Sequence, residues 1–548
     1  MESQGKSLTE TEGKGLAAQT QVEKGIAGAA GIVAFGTLIS RILGFVRDMV
    51  LANLFGATMA ADAFYVAFRI PNMLRELFAE GSMSAAFIPV FTEYLAKKSR
   101  LEAKELASAA FTTLCLLVCG VVVLGIFLSP EIIRWIAPGF VRDPYQFSLT
   151  VAMTRIMFPF LLFISLAALA MGILNSTRHF APPALASGVF NVVSILFVFG
   201  FTSFLPEPVY GAAIGVALGG LAQFLIQVPA LYQEGLSLTF RKPVWPLHPG
   251  VVQMGRLLLP TTLGLSVTQI NVLVNTLLAS FLSAGSVSYL YYGMRLIHFP
   301  LGIFAVALST ALLPTLSTQA AIGEMEGLRK TFSFGLRLVF FITFPAMMGL
   351  IFFRVPIVHL LFEHGEFGRV ATVGTATAVL FYSIGLWAFA GIRIVVPVFY
   401  SLQDTKTPVK VGFVAMIANL ALNMTLMGPL KHGGLALATS LSAILNFSIL
   451  FFILRRRIGR IDGKRILNSH IKVILASLGL LPVSLWINYQ EMWLSPGNWT
   501  IKAVILSIAI IISAVSYFTI QAMLKSEEFH FILNLIQNRF FKRTLRPK

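Results

Sequence analysis

Long apolar stretches recur along the whole chain, and they constrain its fold more than any other feature. Each is roughly 20 residues or longer, enough to cross a hydrocarbon core about 30 Å thick as a helix. Hydrophobic residues make up 56% of the 548 positions and charged residues 12%, which leaves too little polar surface for a soluble globule. The short alternating strands typical of a membrane barrel do not occur. The sequence therefore predicts an all-α polytopic membrane protein.

Breaks between the apolar stretches predict about 14 transmembrane helices. These spans lie near residues 26–56, 59–94, 106–129, 148–174, 183–204, 209–232, 250–283, 287–317, 332–361, 370–401, 408–428, 433–455, 470–488 and 500–524. The polar residues 1–24 lack the apolar core of a signal peptide, and we interpret them as a disordered cytoplasmic tail. Residues 527–548 are interpreted as a basic cytoplasmic tail.

Basic residues mark one side of the predicted membrane domain. With a cytoplasmic amino terminus, the outer loops carry only Arg134, Arg142, Arg369 and Lys431, whereas the inner segments carry nearly all other loop cations. Cytoplasmic loops are enriched in Lys and Arg, so both termini are predicted on the cytoplasmic side of a bacterial inner membrane. The formal net charge of +18 is thus explained by topology, and no nucleic-acid partner is expected.

An internal repeat relates two halves of the chain. The stretch RIPNMLRELFAEGSMSAAFIPVFTEY begins at Arg69 and is echoed by RLIHFPLGIFAVALSTALLPTLSTQ from Arg295, which is 226 residues later. Pro182 and Pro408 are also 226 residues apart. Because an even number of spans separates the copies, the halves share one orientation, as in carriers that expose a central cavity alternately to each side.

The repeat defines the predicted domains. Residues 25–235 form an N-lobe of helices 1–6, and residues 249–456 form a C-lobe of helices 7–12. Residues 466–526 form a C-terminal helix pair, which the basic linker RRRIGRIDGKR joins to the C-lobe. The substrate cavity is expected between the two pseudo-symmetric six-helix lobes.

Charged side chains lie where lipid is expected. In the first helix Arg41 is about 15 residues from the start, or about 22 Å along the axis, and shares a face with Asp48. A charge at the bilayer centre costs about 2.5–3.5 kcal/mol, so these groups are expected to line a hydrated cavity. Arginines near span ends are expected to reach the membrane surface instead; these are Arg155, Arg256, Arg337 and Arg354.

Clustered arginines predict an anionic ligand, because guanidinium holds phosphate through paired donors and stays ionised. Internal salt bridges to acidic neighbours would account for single arginines but not for the whole set. The predicted substrate-binding residues are Arg41, Arg47, Arg69, Arg75 and Arg295. The predicted polar and gating residues of the cavity are Asp48, Asp62, Asn72, Glu76, Glu80 and Ser288. Arg393 lies deeper in its span and is left without a role.

Motifs for catalysis are missing from the sequence. It contains neither a Gly-rich phosphate loop followed by Lys and Ser or Thr, nor an H-E-x-x-H motif. The histidines His298, His359 and His364 lack metal-ligand spacing. We therefore expect no enzymatic activity, no metal and no cofactor.

The run SRILGFVRDMVLANLFGATMAADAFYVAFRIPNMLRELFAEGSMSAAFIPVFTEY, from Ser40 to Tyr94, closely resembles the signature of the MurJ (MviN) lipid II flippases. This family belongs to the superfamily of multidrug, oligosaccharidyl-lipid and polysaccharide exporters. The resemblance continues through GSVSYLYYGMRL, QDTKTPVK and GPLKHGGLALATS, and so covers nearly the whole chain after the polar tail.

The resemblance implies a fourteen-helix carrier that moves lipid II, an undecaprenyl-pyrophosphate-linked glycopeptide, from the cytoplasmic to the periplasmic leaflet. It implies that cavity arginines hold the pyrophosphate, and that the membrane potential or a coupling cation drives transport. A sodium site between the seventh, eleventh and twelfth helices is also implied. The seventh helix here carries Gln269, Asn271 and Asn275 but no carboxylate, which argues against that site.

Three alternatives stay open at this point. A flippase for another polyprenyl-linked oligosaccharide would need the same pyrophosphate chemistry. A cation-coupled drug antiporter would be expected to have an anionic or aromatic cavity instead. A scaffold that recruits the cell-wall synthesis machinery is compatible with the basic tail and linker, but it does not explain charges near the middle of the membrane. Besides lipid II, membrane lipids are expected partners.

Overall fold

The structure is a computed structural model, and it describes residues 31, 33–77, 82–202, 204–236, 238–240, 248–493 and 497–544. Helices dominate these residues, and no strand occurs among them. This confirms the all-α fold class. The predicted amino-terminal tail, residues 1–24, lies outside the described residues.

The described residues of the first half form nine helices and one short 3-10 turn at Pro138–Arg142. The helices are α1 (33–55), α2 (Met59–Arg75), α3 (Ser82–Lys97), α4 (Arg100–Ile136), α5 (Pro144–Met157), α6 (Pro159–Ser176), α7 (Ala181–Phe201), α8 (Val209–Leu225) and α9 (Val228–Gln233).

The second half continues with α10 (Pro249–Ala279), α11 (Ser286–Pro300), α12 (Val306–Ala321), α13 (Met325–Phe352), α14 (Arg354–Phe362), α15 (Arg369–Ser383), α16 (Leu386–Ser401), α17 (Lys406–Leu430) and α18 (His432–Ile458). The C-terminal part consists of α19 (Gly463–Ser477), α20 (Leu481–Asn488), α21 (Trp499–Met523) and α22 (Glu527–Thr544).

Several predicted spans consist of two helices in sequence. Within the described residues, 10 continuous stretches are long and apolar enough to cross a membrane, and an eleventh is the pair α15 and α16, bent by 43°. Helices also occupy the three remaining predicted spans, near residues 26–56, 59–94 and 250–283, but parts of the first two are not described. The chain is a multi-pass membrane protein, and the number of 14 spans stays a prediction.

Contacts divide the chain into two compact units. Unit 1 comprises residues 1–51, 67–133 and 147–266, and unit 2 comprises residues 52–66, 134–146 and 267–548. Unit 2 therefore contains the turn between α1 and α2 and the first part of α2, although both belong to the predicted N-lobe. Residues 134–146 are likewise part of unit 2, although they precede the predicted C-lobe in the sequence.

The two copies of the repeat share a local irregularity in their helices. A π-helical turn follows α2 at residues 76–77, and a π-helical segment, Leu301–Ala305, follows α11. Each begins six or seven residues after the equivalent arginine, Arg69 or Arg295. Such turns often accompany functional sites in helices, because they re-aim the following side chains.

The expectation that Arg337 reaches the membrane surface is wrong. It does not extend to the membrane surface, because its side chain is only 6% exposed and forms an ion pair with Glu527 at 2.9 Å. It also forms an ion pair with Glu528. Both acids begin α22, so the segment assigned to a tail is helical up to Thr544 and is attached to α13 by charge.

Asp404 lies in the turn before α17. Its Oδ1 accepts the backbone N–H of Lys406 and of Thr407, at 3.1 and 3.0 Å, in the first turn of α17. Hydrogen bonds from the hydroxyl and the amide of Thr407, together with the Arg457 guanidinium, lower the pKa of Asp404 to about 2. The carboxylate thus stabilises the start of α17 as an ionised cap.

Candidate functional site

The arginines of α1 have different surroundings within unit 1. Arg41 is exposed. Arg47 is 11% exposed and pairs with Asp48, with Nη2 2.9 Å from Oδ1, while its guanidinium lies 5.5 Å from the centre of the Phe190 ring. Asp48 is fully buried. Asp48 therefore offsets much of the Arg47 charge and fixes its orientation, and Arg41 keeps an accessible charge.

The polar stripe of α2 forms a small network of its own. Asn72 donates from Nδ2 to Glu76 Oε1 at 2.9 Å, and Arg75 donates from Nε to Asn72 Oδ1 at 3.1 Å. Arg75 Nη2 also lies 3.7 Å from Glu76 Oε1. The network thus places an arginine, an amide and a carboxylate together where α2 passes into the π-helical turn. Glu80, predicted to be on the same stripe, lies outside the described residues.

Arg69 and Arg295 occupy equivalent positions in the repeat and share an intermediate environment. Each is half-buried, Arg69 in unit 1 and Arg295 in unit 2. Each is followed by a π-helical turn. The two copies of the repeat thus preserve both the cation and the break in the helix after it.

Asp62, predicted as a polar or gating residue of the cavity, caps a helix. It is 1% exposed, and its Oδ2 accepts the Gly285 N–H at 2.7 Å. Its Oδ1 accepts both the N–H and the hydroxyl of Ser288, at 2.8 and 2.6 Å. Gly285 is the N-cap of α11 and has no side chain to satisfy these donors. The carboxylate of α2 therefore caps α11, where the helix dipole favours a negative charge.

Equivalent residues of the two copies meet within unit 2. Asp62 and Ser288 are hydrogen-bonded and 226 residues apart. Tyr65 and Tyr291, separated by the same number of residues, stack with ring centroids 3.9 Å apart. Equivalent side chains can touch only close to the axis that relates them, so this part of unit 2 lies at the pseudo-symmetry axis of the repeat.

The turn between α1 and α2 interlocks with the loop before α15. Glu366 donates its N–H to the Asn53 carbonyl at 2.9 Å. Gly56 and Gly365 both have positive φ, +61° and +55°. A Cβ at Gly56 would lie 2.4 Å from the Glu366 carbonyl oxygen, and one at Gly365 would lie 2.3 Å from the Asn53 carbonyl oxygen. Only glycine permits this close approach of the two backbone segments.

Arg393 is a site candidate to which sequence reasoning gave no role. It lies in the middle of α16 and is exposed, on the same stripe as Tyr400, which is 46% exposed. The depth of Arg393 in its span was visible in the sequence, but the direction of its side chain depends on how α16 packs against α12, α13 and α18.

A chain of amides links the seventh, eleventh and twelfth predicted spans in unit 2. Asn423 donates to Asn275 Oδ1 at 2.7 Å and to Asn419 Oδ1 at 2.9 Å. Asn275 Nδ2 lies 3.4 Å from Thr439 Oγ1. None of these side chains carries a charge, and two of the amide oxygens already accept hydrogen bonds. The set supplies neutral oxygens but no carboxylate, and the buried Oδ1 of Asn423 has no hydrogen-bond partner among the described residues.

Comparison with known protein families gives one assignment over most of the chain. The family described as "Lipid II flippase MurJ" matches residues 51–521. A probable lipid II flippase MurJ of Vibrio cholerae serotype O1 is 42% identical over 428 residues, which cover 77% of this chain and 81% of that protein. The lipid II flippase MurJ of Burkholderia cenocepacia is 38% identical over 77% of this chain and 82% of its own length.

Solved structures extend this likeness to the fold. A structure described as lipid II flippase MurJ in an inward closed conformation matches with a TM-score of 0.75 and 26% identity, over 92% of this chain and 99% of that one. A multidrug-resistance transporter of the MATE family, in an inward-facing conformation, matches with a TM-score of 0.64 over 78% of this chain and 98% of its own. Its 14% identity supports a shared fold only.

Proposed function

Since this chain belongs to the MurJ family of lipid II flippases, we propose that it moves an undecaprenyl-pyrophosphate-linked peptidoglycan precursor from the cytoplasmic to the periplasmic leaflet by alternating access. The observation that carries the proposal is the family match over residues 51–521, which includes both copies of the repeat and both Arg69 and Arg295. The activity is transport, without a catalytic step on the cargo.

The cationic side chains provide the chemistry for binding the diphosphate. Arg41 is exposed on α1, and Arg69 and Arg295 are half-buried at equivalent positions of the repeat. Guanidinium groups bind phosphate oxygens through two parallel N–H donors and keep their charge at any physiological pH. In the proposed mechanism these three arginines bind the diphosphate directly, while Asp48 holds Arg47, and Asn72 and Glu76 hold Arg75, in fixed orientations.

The capped end of α11 supplies a gate. If the amino terminus is cytoplasmic, the turn between α1 and α2 faces the periplasm, and the contacts of Asp62 with Gly285 and Ser288 close that side. Opening toward the periplasm requires these three hydrogen bonds to break, together with the contact between Gly56 and Glu366. The closed state thus favours entry of cargo from the cytoplasm, and the prenyl chain stays in lipid throughout.

The membrane potential is the proposed driving force. The cargo is an anion, so a potential that is positive outside favours its outward movement by about 2.3 kcal/mol per charge per 100 mV. A coupling cation is the alternative driving force. The proposal places the protein in the bacterial inner membrane with both termini in the cytoplasm, and it needs no cofactor.

A leaflet-resolved assay with purified protein tests the function. Fluorescently labelled lipid II is placed in one leaflet of proteoliposomes, and its appearance in the other leaflet is followed with an impermeant quencher. We expect wild-type protein to transfer lipid II, and Arg69→Ala and Arg41→Ala each to lower the rate by tenfold or more, a change of about 1.4 kcal/mol in barrier. Arg456→Ala, which removes an exposed linker cation, is the matched control.

The outcomes separate the remaining alternatives. Transfer of an unrelated polyprenyl-diphosphate glycan in place of lipid II would indicate the other flippase. Extrusion of organic cations would indicate a drug antiporter, and no transfer of any cargo by correctly folded protein would indicate a scaffold. Normal transfer by Arg69→Ala would refute the assigned role of the arginines.

A further inference from the structure

A cleft lies within unit 2 at the junction between α18, the basic linker and α19. Its volume is about 240 Å³, and its lining residues are Phe451, Ile461, Ile466, Leu467, Arg455 and His470. Gly463 also lines it, four of the other lining side chains are apolar, and Arg455 is the cation among them. The cleft therefore combines an apolar wall with an arginine, where α18 ends and α19 begins.

The surrounding acidic side chains are already neutralised by other cations. Asp404 pairs with Arg457, and Glu527 pairs with both Arg337 and Arg465. Each of these carboxylates therefore offers little further compensation to a cation at the cleft.

The same holds for two more acids of this region. Glu326 pairs with Lys330 at 2.6 Å, and Glu528 pairs with Arg337. Asp462 is the acid left over in the linker, and it is exposed to solvent.

The cations at the cleft consequently exceed the acids available to them. In the described part of the chain, no hydrogen bond or ion pair engages the side chains of Arg455, Arg460 or Lys464. The Nε atom of Arg329 is buried without a hydrogen-bond partner, and this guanidinium lies next to Gly459 at the linker. Arg455, Arg460 and Lys464 are exposed, so their charges are accessible to an external anion.

We propose that this cleft binds an anionic phospholipid of the surrounding membrane. One acyl chain lies along Phe451, Ile466 and Leu467, and the phosphate lies against Arg455. A free phosphate would leave the apolar wall uncovered, and a neutral lipid would leave the cations uncompensated, so an anionic lipid is the ligand class that matches both halves of the cleft. The bound lipid would join the C-terminal helix pair to the end of α18.

This site is independent of the proposed transport of lipid II. Its lining residues lie near the linker, and none of them is among the arginines assigned to the diphosphate. Failure of lipid binding here would leave the flippase proposal intact, and loss of transport would not affect the lipid site.

The test is native mass spectrometry of detergent-purified protein titrated with phosphatidylglycerol or with phosphatidylcholine. Two variants probe the two halves of the cleft. Arg455→Ala removes the phosphate contact, and Gly463→Phe fills the apolar part, since Gly463 lines the cleft and a Cβ there would have no atom within 4 Å. Arg456→Ala is the control, because this neighbouring arginine lies 4.4 Å over the Phe452 ring and does not line the cleft.

We expect wild-type protein to bind phosphatidylglycerol more tightly than phosphatidylcholine. Arg455→Ala should weaken phosphatidylglycerol binding about fivefold, as expected for one arginine near an anionic headgroup, and Gly463→Phe should weaken it by at least as much. Arg456→Ala should change it by less than about twofold. Thermal unfolding of each variant confirms that it is folded.

Several results would overturn the proposal. Equal losses in Arg455→Ala and Arg456→Ala would mean diffuse surface charge, and equal binding of both lipids would mean an apolar groove only. Unchanged binding by Gly463→Phe would mean that no acyl chain enters the cleft. Displacement of phosphatidylglycerol by a polyprenyl diphosphate would assign the cleft to the cargo.

Discussion

At the residue scale, a buried chain of charged groups links α14 to α21 within unit 2. His359 is fully buried, with Nε2 2.9 Å from Lys502 Nζ and Nδ1 2.8 Å from Glu363 Oε2. Lys502 is only 1% exposed, and Glu363 also accepts the Thr372 hydroxyl at 2.5 Å. A neutral imidazole can accept from the ammonium and donate to the carboxylate, so it connects the two charges. Lysine and glutamate are rarely buried in proteins unless a group of opposite charge or a hydrogen-bonding group pairs with them.

Replacing Lys502 tests how much the contacts among Lys502, His359 and Glu363 contribute to stability. Lys502→Met keeps the apolar length but leaves the Glu363 carboxylate with Arg369, 3.7 Å away, as its nearby cation. We expect a loss of about 3 kcal/mol in stability, typical of breaking a buried ion pair by removing one partner. Thermal unfolding in detergent measures it. Lys410→Met, at an exposed position of α17, should shift the midpoint little, and an equal shift would contradict a structural role of Lys502.

Acid should weaken the same contact. Burial acts to raise the pKa of Glu363, but hydrogen bonds from His359 and Thr372 outweigh it, and the pKa stays below its ordinary value of 4.5. A lowered pKa in the folded state contributes stability above pH 4.5, and this contribution disappears as the pH falls through the folded-state value. We expect Glu363→Gln to flatten the decline of the unfolding midpoint below pH 4.5. An identical decline in the variant would place the acid-sensitive group elsewhere.

Arg393 is a second test at this scale. A charged side chain exposed in the middle of a span costs about 2.5–3.5 kcal/mol against lipid, so we expect it to face water and contribute to cargo binding. Arg393→Leu should then slow lipid II transfer several-fold, while Arg393→Lys retains more of the rate. Full activity of Arg393→Leu, with higher thermal stability, would show that the side chain faces lipid.

At the element scale, two turns rather than two helices hold one end of unit 2 together. Gly56→Ala introduces a Cβ 2.4 Å from the Glu366 carbonyl oxygen, at a φ of +61°. Gly235 has a similar φ of +66° with no atom within 4 Å of a Cβ, so Gly235→Ala isolates the backbone strain of about 1 kcal/mol. We expect Gly56→Ala to lower the unfolding midpoint more than Gly235→Ala. Equal effects would mean that the contact with Glu366 adds nothing.

The internal repeat also extends to the helix irregularities after α2 and α11. Each copy follows its arginine with a π-helical turn, at residues 76–77 and Leu301–Ala305. The sequence contains the equivalence in its spacing of 226 residues, and a proline lies inside each of the two helices, Pro71 in α2 and Pro300 in α11.

At the scale of the whole molecule, the charge of the cargo predicts a response to voltage. In proteoliposomes with a defined potential, transfer of labelled lipid II toward the positive side should be faster than transfer at zero potential, and reversal of the potential should slow it. Dissipating the potential with valinomycin at equal potassium concentrations provides the reference rate. A rate that is independent of voltage, but rises with one added cation, would favour a coupling ion.

The chain order of the helices was predictable because it depends on the local sum of hydropathy. In the described residues, every predicted span is occupied by a helix or by two helices in sequence, and the family match covers residues 51–521. The environment of individual charges was less predictable. Arg337 was expected at the membrane surface, yet it is buried against Glu527 and Glu528, which lie about 190 residues further along the chain.

The sequence by itself determined the membrane class, the repeat and the residue types available for holding a diphosphate, because hydropathy, periodicity and motif spacing are properties of the linear chain. Tertiary structure decided the partners: Asp62 caps α11, His359 joins Lys502 to Glu363, and asparagines of two spans bond each other. The physical reason is that a buried polar group must find its partner within about 3 Å, whatever the separation in sequence. Packing of the helices chooses that partner, and no local pattern encodes it.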